Sequence, residues 1–394
     1  MPRPILGCTL LLAFAIGTPQ FCIPPMEHIL KEELLLTHAQ TSLLFTAPMI
    51  MLVALAIPGG ILADRIGIRK AAGIAAILIA VGATLRGTTT DFPTLLALTF
   101  IYGAGFGLAF PNLPKLISLW FPRERAGVAT GVYTAAIVAG SAIPVAITLP
   151  LIFPITNTFQ GTFLIWGIPA IIAAILWWIL VKEPPSENVK AQQASRGDKP
   201  AYQIWRNKSL WLVSILLLLS TFFAFNWTGW APALMMEKGA PPNLAALIAS
   251  LTLWAAIPAS LLAPRLSYKL GLRKPFIWVP CIIMAFASLW AINATVPMGW
   301  GLMALVGIAH STRFATIMAL PVEMMPKEAV GAASGLMFSV GHIGAVLGPL
   351  IGGHILDFTG SLDLSLIVLI GVSIATAGIA FKIPETGPRA RVQK

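Results

Sequence analysis

Twelve apolar runs, each close to the length of a membrane crossing, follow one another along this chain with little polar sequence between them. A helix needs about 20 apolar residues to cross the hydrocarbon core of a bilayer. Only helices and closed barrels satisfy their backbone in that medium. The runs lack the period-two alternation of barrel strands, so helices are expected. Composition agrees: 57% of the residues are hydrophobic and only 10% charged, whereas soluble domains carry roughly a quarter. So few charges cannot coat a surface that faces water on all sides. The expected fold class is an all-α membrane protein with spans near 4–26, 40–63, 70–89, 93–118, 126–149, 161–181, 209–235, 242–266, 275–293, 297–321, 328–355 and 361–382. The first run is too long for a cleavable signal peptide and lacks its small-residue cleavage site, so it reads as a span. Cys8, Cys22 and Cys281 lie inside apolar runs without pairing or ligand spacing, and read as packing residues.

The longest polar stretch contains Pro184, Pro185, Gly197 and Pro200 and reads as a flexible linker. It divides the chain into a six-span bundle over 1–181, a cytoplasmic linker over 182–208 and a second six-span bundle over 209–394. Basic residues orient the whole. Of the 26 Lys and Arg, twenty-one fall on the side shared by the termini and the linker, while Lys31 and Lys238 fall opposite. Such a bias places both termini in the cytoplasm of a multi-pass cell-membrane protein. It also accounts for the net charge of +11 without a nucleic-acid partner.

The halves repeat. Ile57-Pro58, Leu62-Ala63 and Arg65 recur at a spacing of 200 as Ile257-Pro258, Leu262-Ala263 and Arg265. Four inserted residues later, Gly67-Ile68-Arg69-Lys70 recurs as Gly271-Leu272-Arg273-Lys274. The new spacing then persists: Gly103 matches Gly307, Pro122-Arg123-Glu124 matches Pro326-Lys327-Glu328, and Gly127, Ala129 and Gly131 match Gly331, Ala333 and Gly335. Two duplicated six-span halves form a transporter architecture, with the substrate expected between them near the midplane.

The stretch Gly60-Ile61-Leu62-Ala63-Asp64-Arg65-Ile66-Gly67-Ile68-Arg69-Lys70 resembles the loop 2–3 signature of the major facilitator superfamily. Ile68 departs from it where the family commonly has a basic residue. The resemblance implies that Gly60, Asp64, Arg65, Gly67, Arg69 and Lys70 form a conformational latch bracing span eleven in the outward-facing state. Gly60 is expected to permit close helix approach. In the second copy Pro264 replaces the acid, which predicts a weaker latch. Gly344–Gly353 resembles the Gly-Pro-x-x-Gly-Gly signature that exporters of the superfamily carry in span five. Its place in span eleven points instead to close packing and a proline kink.

Ionisable groups deep in spans are costly and usually functional. Here they are few, and cationic or neutral: Arg86 in span three, Lys115 in span four, His310 and Arg313 in span ten, His342 in span eleven. The 15 acids all lie in loops or at span ends. A buried positive charge without an acidic partner calls for an anion, and a guanidinium fork matches carboxylate-like oxygens. Arg313 is therefore the leading substrate contact, with His310 on the same helix face. Arg86 is expected to face an outer vestibule or to snorkel, and Lys115 to snorkel inward. By the resemblance, spans one, four, seven and ten line the pathway, which adds Gln20, Asn112, Asn226 and Trp227; Tyr133 is a further donor.

Leu78–Arg86 and the entry to span two at Ala39–Pro48 resemble the cyanate and nitroimidazole transporter group. Thr18-Pro19-Gln20 lacks the arginine that group carries before its span-one proline. A monocarboxylate transporter is also open. The expected function is secondary active transport of a small organic or inorganic anion by alternating access, with a proton or a counter-anion as the coupled species. The alternatives are proton-coupled multidrug efflux, weakened by the missing embedded acid, and a transporter-like sensor. No nucleophile–base set, phosphate loop or metal cluster is present, so no enzyme, cofactor or metal is expected. A monomer in the lipid bilayer is the default for this architecture.

Overall fold

The computed structural model describes residues 3–121, 123–183, 206–325 and 330–387. Among them are twelve helices able to cross a membrane: Pro4–Leu34, His38–Ile66, Ile68–Thr88, Phe92–Trp120, Ala129–Thr156, Phe159–Leu180, Lys208–Glu237, Pro242–Leu270, Pro275–Ile292, Val296–Pro321, Ala333–Thr359 and Asp363–Lys382. The chain resolves into two compact units, Met1–Gly197 and Asp198–Lys394. The division falls in the stretch expected to be a linker, most of which lies outside the described residues.

Local chemistry sets the ends. Thr37 and Gln40 form a capping box that opens span two, so that helix starts before the expected residue 40. Asp91, Thr158 and Asn207 cap spans four, six and seven by accepting amides three residues on. Proline breaks several spans. Span one ends as a regular helix at Phe21, turns through a 3-10 segment at Pro24–Met26 and resumes as a short helix, Glu27–Leu34. Span four loosens to a 3-10 turn at Phe110–Asn112, where Pro111 and Pro114 interrupt its ladder. Span five widens to a π turn at Thr148–Ile152; Pro150 has no N–H for the carbonyl four residues back, so the ladder slips by one.

Glycines carry the duplication into packing. A Cβ on Gly140 would stand 2.3 Å from the carbonyl oxygen of Phe14, and one on Gly344 would stand 1.9 Å from that of Leu218. Both residues of the second pair are 204 positions beyond those of the first. The crossing of spans one and five is thus repeated by spans seven and eleven, each closed to a distance only glycine permits. Gly348 and Gly352 continue the seam against Phe222 and Trp230, in line with the packing role expected of Gly344–Gly353. The outer faces carry large exposed apolar residues such as Ile179, Phe286 and Ile374, which suit lipid contact.

Gly60 does not do what was expected of it. A Cβ there would meet nothing within 4 Å, whereas one on Gly59 would stand 3.1 Å from the Leu108 backbone. The close approach of spans two and four belongs to Gly59, because one residue along a helix turns the side chain through about 100°.

Candidate functional site

Arg313 lies in span ten of the second unit, wholly buried. Nη2 donates to the carbonyl of Ser220 in span seven at 3.2 Å, and Nη1 to Cys281 Sγ in span nine at 3.5 Å. The guanidinium carbon stands 5.7 Å from the centre of the Phe223 ring. Nε has no partner. Both hydrogen bonds are long and to neutral acceptors, so the charge is loosely held. His310, one turn earlier, is half-buried; its ring centre lies 5.7 Å from that of Phe314, and Nδ1 is enclosed without a partner. Cys281, read from sequence as a packing residue, thus touches the guanidinium. Nothing in its own neighbourhood signals this, since the pair lies 32 positions apart in the chain.

Arg86 is equally buried, inside the first unit. Its Nη2 donates at 2.8 Å to the Pro19 carbonyl at the end of the span-one helix, which also accepts from Cys22 Sγ at 3.4 Å. The guanidinium stands over Phe163 at 4.6 Å and Tyr102 at 5.4 Å. Nε and Nη1 are unpartnered. With no exposed surface, it corrects the expectation of a vestibule or of snorkelling: the charge caps a helix end and rests between two aromatic faces.

Four polar residues expected along the pathway each donate a hydrogen bond to a neighbouring helix. Gln20 Nε2 donates to the Phe45 carbonyl at 2.9 Å, tying span one to span two. Asn112 Nδ2 donates to the carbonyls of Gly59 at 3.1 Å and Leu108 at 2.8 Å. Asn226 Nδ2 donates to the Gly348 carbonyl at 2.7 Å, and its Oδ1 accepts from Ser365 at 3.2 Å, which joins spans seven, eleven and twelve. Trp227 Nε1 donates to Thr252 Oγ1 at 3.3 Å while the indole stacks on Phe223. All four are buried. His342 Nδ1 donates to the carbonyl of Phe338 one turn back at 2.8 Å and stacks on that ring at 4.9 Å. Tyr133 is buried in span five.

Lys115 does not snorkel into water. Its ammonium pairs with the Asp64 carboxylate at the end of span two, so a residue expected at the substrate joins one expected in the latch. Arg69 spans the same loop differently. Nε donates to the Val181 carbonyl at 2.5 Å and Nη2 to that of Trp178 at 3.3 Å, while Trp177 Nε1 donates back to the Arg69 carbonyl at 2.9 Å. Gly67 takes a positive φ of 89° between the two helices, a conformation that excludes most side chains. Arg65 and Lys70 are exposed.

The copy of this loop in the second unit is held by acids from elsewhere in that unit. Arg273 holds Glu323 of span ten through Nε at 3.0 and 3.2 Å and Nη2 at 2.5 Å, and Nη1 donates to Ser267 at 2.9 Å. The Glu385 carboxylate accepts the backbone amides of Arg273 at 2.7 Å and Lys274 at 3.1 Å, at the start of span nine. Lys274 Nζ donates to the Phe381 carbonyl at 3.0 Å and Thr386 Oγ1 to Glu323 at 2.6 Å. Acids from span ten and from beyond span twelve replace the one lost at Pro264.

Among the described residues no group of three or more His, Cys, Asp or Glu is placed to hold a metal. The family model of the Major Facilitator Superfamily matches residues 9–239 and 227–394. The chain belongs to that superfamily: it is a multi-pass membrane transporter, not an enzyme. It is 25% identical to the probable sulfoacetate transporter SauU of Cupriavidus necator, over 93% of this chain and 91% of that one. It is 24% identical to the cyanate transport protein CynX of Escherichia coli, over 86% of each, which meets the likeness read from span three. The fold matches that of a bacterial homologue of the human lysosomal transporter Spinster, with a TM-score of 0.80 at 16% identity over 96% of each chain.

Proposed function

We propose that this protein moves a small anion across the membrane by alternating access, and that Arg313 holds it. The observation that carries the reading is the guanidinium itself: fully buried, its Nε unpartnered, and bonded to no carboxylate among the described residues. Arginine cannot shed its proton in a protein. Leaving it buried without a counter-charge costs several kcal/mol, and an anionic substrate offsets that cost. His310 supplies a second polar atom one turn away. A single guanidinium with a nearby imidazole suits a mono- or dianion better than a polyphosphate. Sulfoacetate and cyanate, in the names of two relatives, are small anions of this kind.

Arg86 is the second candidate, through its two unpartnered nitrogens. We assign Gln20, Asn112, Asn226, Trp227 and His342 to helix packing, since each already spends a donor on a partner within its own half. Proton symport and anion exchange both fit spans whose acids lie toward their ends. The charge bias supports both termini in the cytoplasm, and the first loop is proposed to act as the latch through Asp64, Arg69 and Gly67. Uptake of labelled cyanate, nitrate, lactate, oxalate and sulfoacetate into proteoliposomes tests the reading. Saturable uptake of one or more is expected. Failure of every anion, with pH-driven movement of a lipophilic cation instead, overturns it in favour of efflux.

A further inference from the structure

Several serines in the second unit spend their hydroxyls on the carbonyl three or four residues back. Ser214 donates to Leu210 at 2.9 Å, Ser250 to Leu247 at 2.7 Å and Ser288 to Met284 at 2.9 Å. Ser220 of span seven and Ser373 of span twelve depart from this habit. Both are wholly buried, and neither hydroxyl has a hydrogen-bond partner among the described residues. Leu216 and Leu217, one turn before Ser220, belong to an apolar cluster that also holds Ile317 of span ten. Packing alone therefore gives no reason for a hydroxyl at 220, and leaving one unsatisfied costs stability.

Of the two serines, Ser220 meets the guanidinium. Its carbonyl accepts Arg313 Nη2 at 3.2 Å, and Phe223, three residues on, has its ring centre 5.7 Å from the guanidinium carbon. Residues three apart share a helix face, so Arg313 lies along the face of span seven that carries Ser220. Nη1 meets Cys281 and Nη2 the carbonyl, while Nε has no partner among the described residues. Two unspent donors, Nε–H from span ten and Oγ–H from span seven, thus stand in one apolar interior.

Given Arg313 as the substrate contact, we propose that Ser220 is the second donor of the anion site and that the pair sets its specificity. The pair favours an anion with two or more oxygens on one atom, a carboxylate or a sulfonate, over a linear anion such as cyanate. Two donors from different spans give each oxygen of such a head group its own hydrogen bond. A linear anion presents a single atom at either end. Both donors must then share that atom, and hydrogen bonds weaken steeply as they bend. A ligand that leaves one buried donor unpaired is rejected more strongly than its lost contact alone implies.

Binding of lactate, sulfoacetate and cyanate to the full chain in detergent, read as the rise of its unfolding temperature with ligand concentration, tests this. Wild type should bind lactate or sulfoacetate more tightly than cyanate. Ser220→Ala should bind the tighter of those two about tenfold more weakly, and cyanate within about twofold of wild type. Without ligand it should unfold no earlier than wild type, because the hydroxyl it loses has no partner to forfeit. A lowered midpoint would assign the hydroxyl a structural role and overturn the proposal. So would wild-type affinity for lactate and sulfoacetate in Ser220→Ala, or an equal loss for cyanate. If Arg313→Gln loses the carboxylate or sulfonate while Ser220→Ala keeps it, the role of Ser220 fails and that of Arg313 stands. If wild type binds none of the three anions, both fail.

Discussion

The two loops that begin at Gly67 and Gly271 share a sequence pattern and are held by opposite chemistry. In the first, cations do the holding: Arg69 binds the carbonyls that end span six, and Lys115 reaches Asp64. In the second, acids do it: Glu323 grips Arg273, and Glu385 binds the amides that start span nine. Duplication preserved the position of the turn and of the arginine. It did not preserve the partner, because Pro264 stands where Asp64 did and Ala319 where Lys115 did. The pattern of a motif therefore says where a loop turns, and the residues it meets from distant spans decide how firmly it is held.

Substitutions in the two loops sharpen this contrast. Glu323→Ala should do most harm, since it leaves a nearly buried guanidinium without its counter-charge; a loss of about 3 kcal/mol is expected, read as a lowered unfolding midpoint in detergent. Arg69→Gln removes two carbonyl bonds and a guanidinium standing 5.6 Å over Trp178. About 1.5 kcal/mol should go with it, by the same measurement. Lys115→Met should cost less than about 1 kcal/mol, because the Asp64 side chain is 35% exposed and water screens the pair. If Lys115→Met proved as damaging as Glu323→Ala, the contrast between the loops would be lost. Gly60→Ala should fall within about 0.5 kcal/mol of wild type; a large loss would restore to Gly60 the packing role that Gly59 holds here.

Much of the fold was legible from residues alone. Span number follows from apolar length, and the repeat survives because Gly140 with Phe14 and Gly344 with Leu218 preserve a crossing that tolerates no side chain. Less legible were the partners. Asn226 and Gln20 look like pathway residues because polar groups in spans are rare, but a buried amide also serves to join helices, and its acceptor lies 122 positions away for Asn226 and 25 for Gln20. Glu385 looks like tail sequence until the chain folds back onto loop 8–9. Arg313 was legible because the acids of the spans lie toward their ends, away from its mid-span position.

The most direct test of the account is counterflow of the transported anion by Arg313→Gln in proteoliposomes, with wild-type-like unfolding verified beforehand. The account predicts a loss of at least about tenfold in transport, since a charged hydrogen bond to substrate is worth about 1.5–3 kcal/mol. A correctly folded Arg313→Gln protein that transports the anion at the wild-type rate and affinity would contradict it.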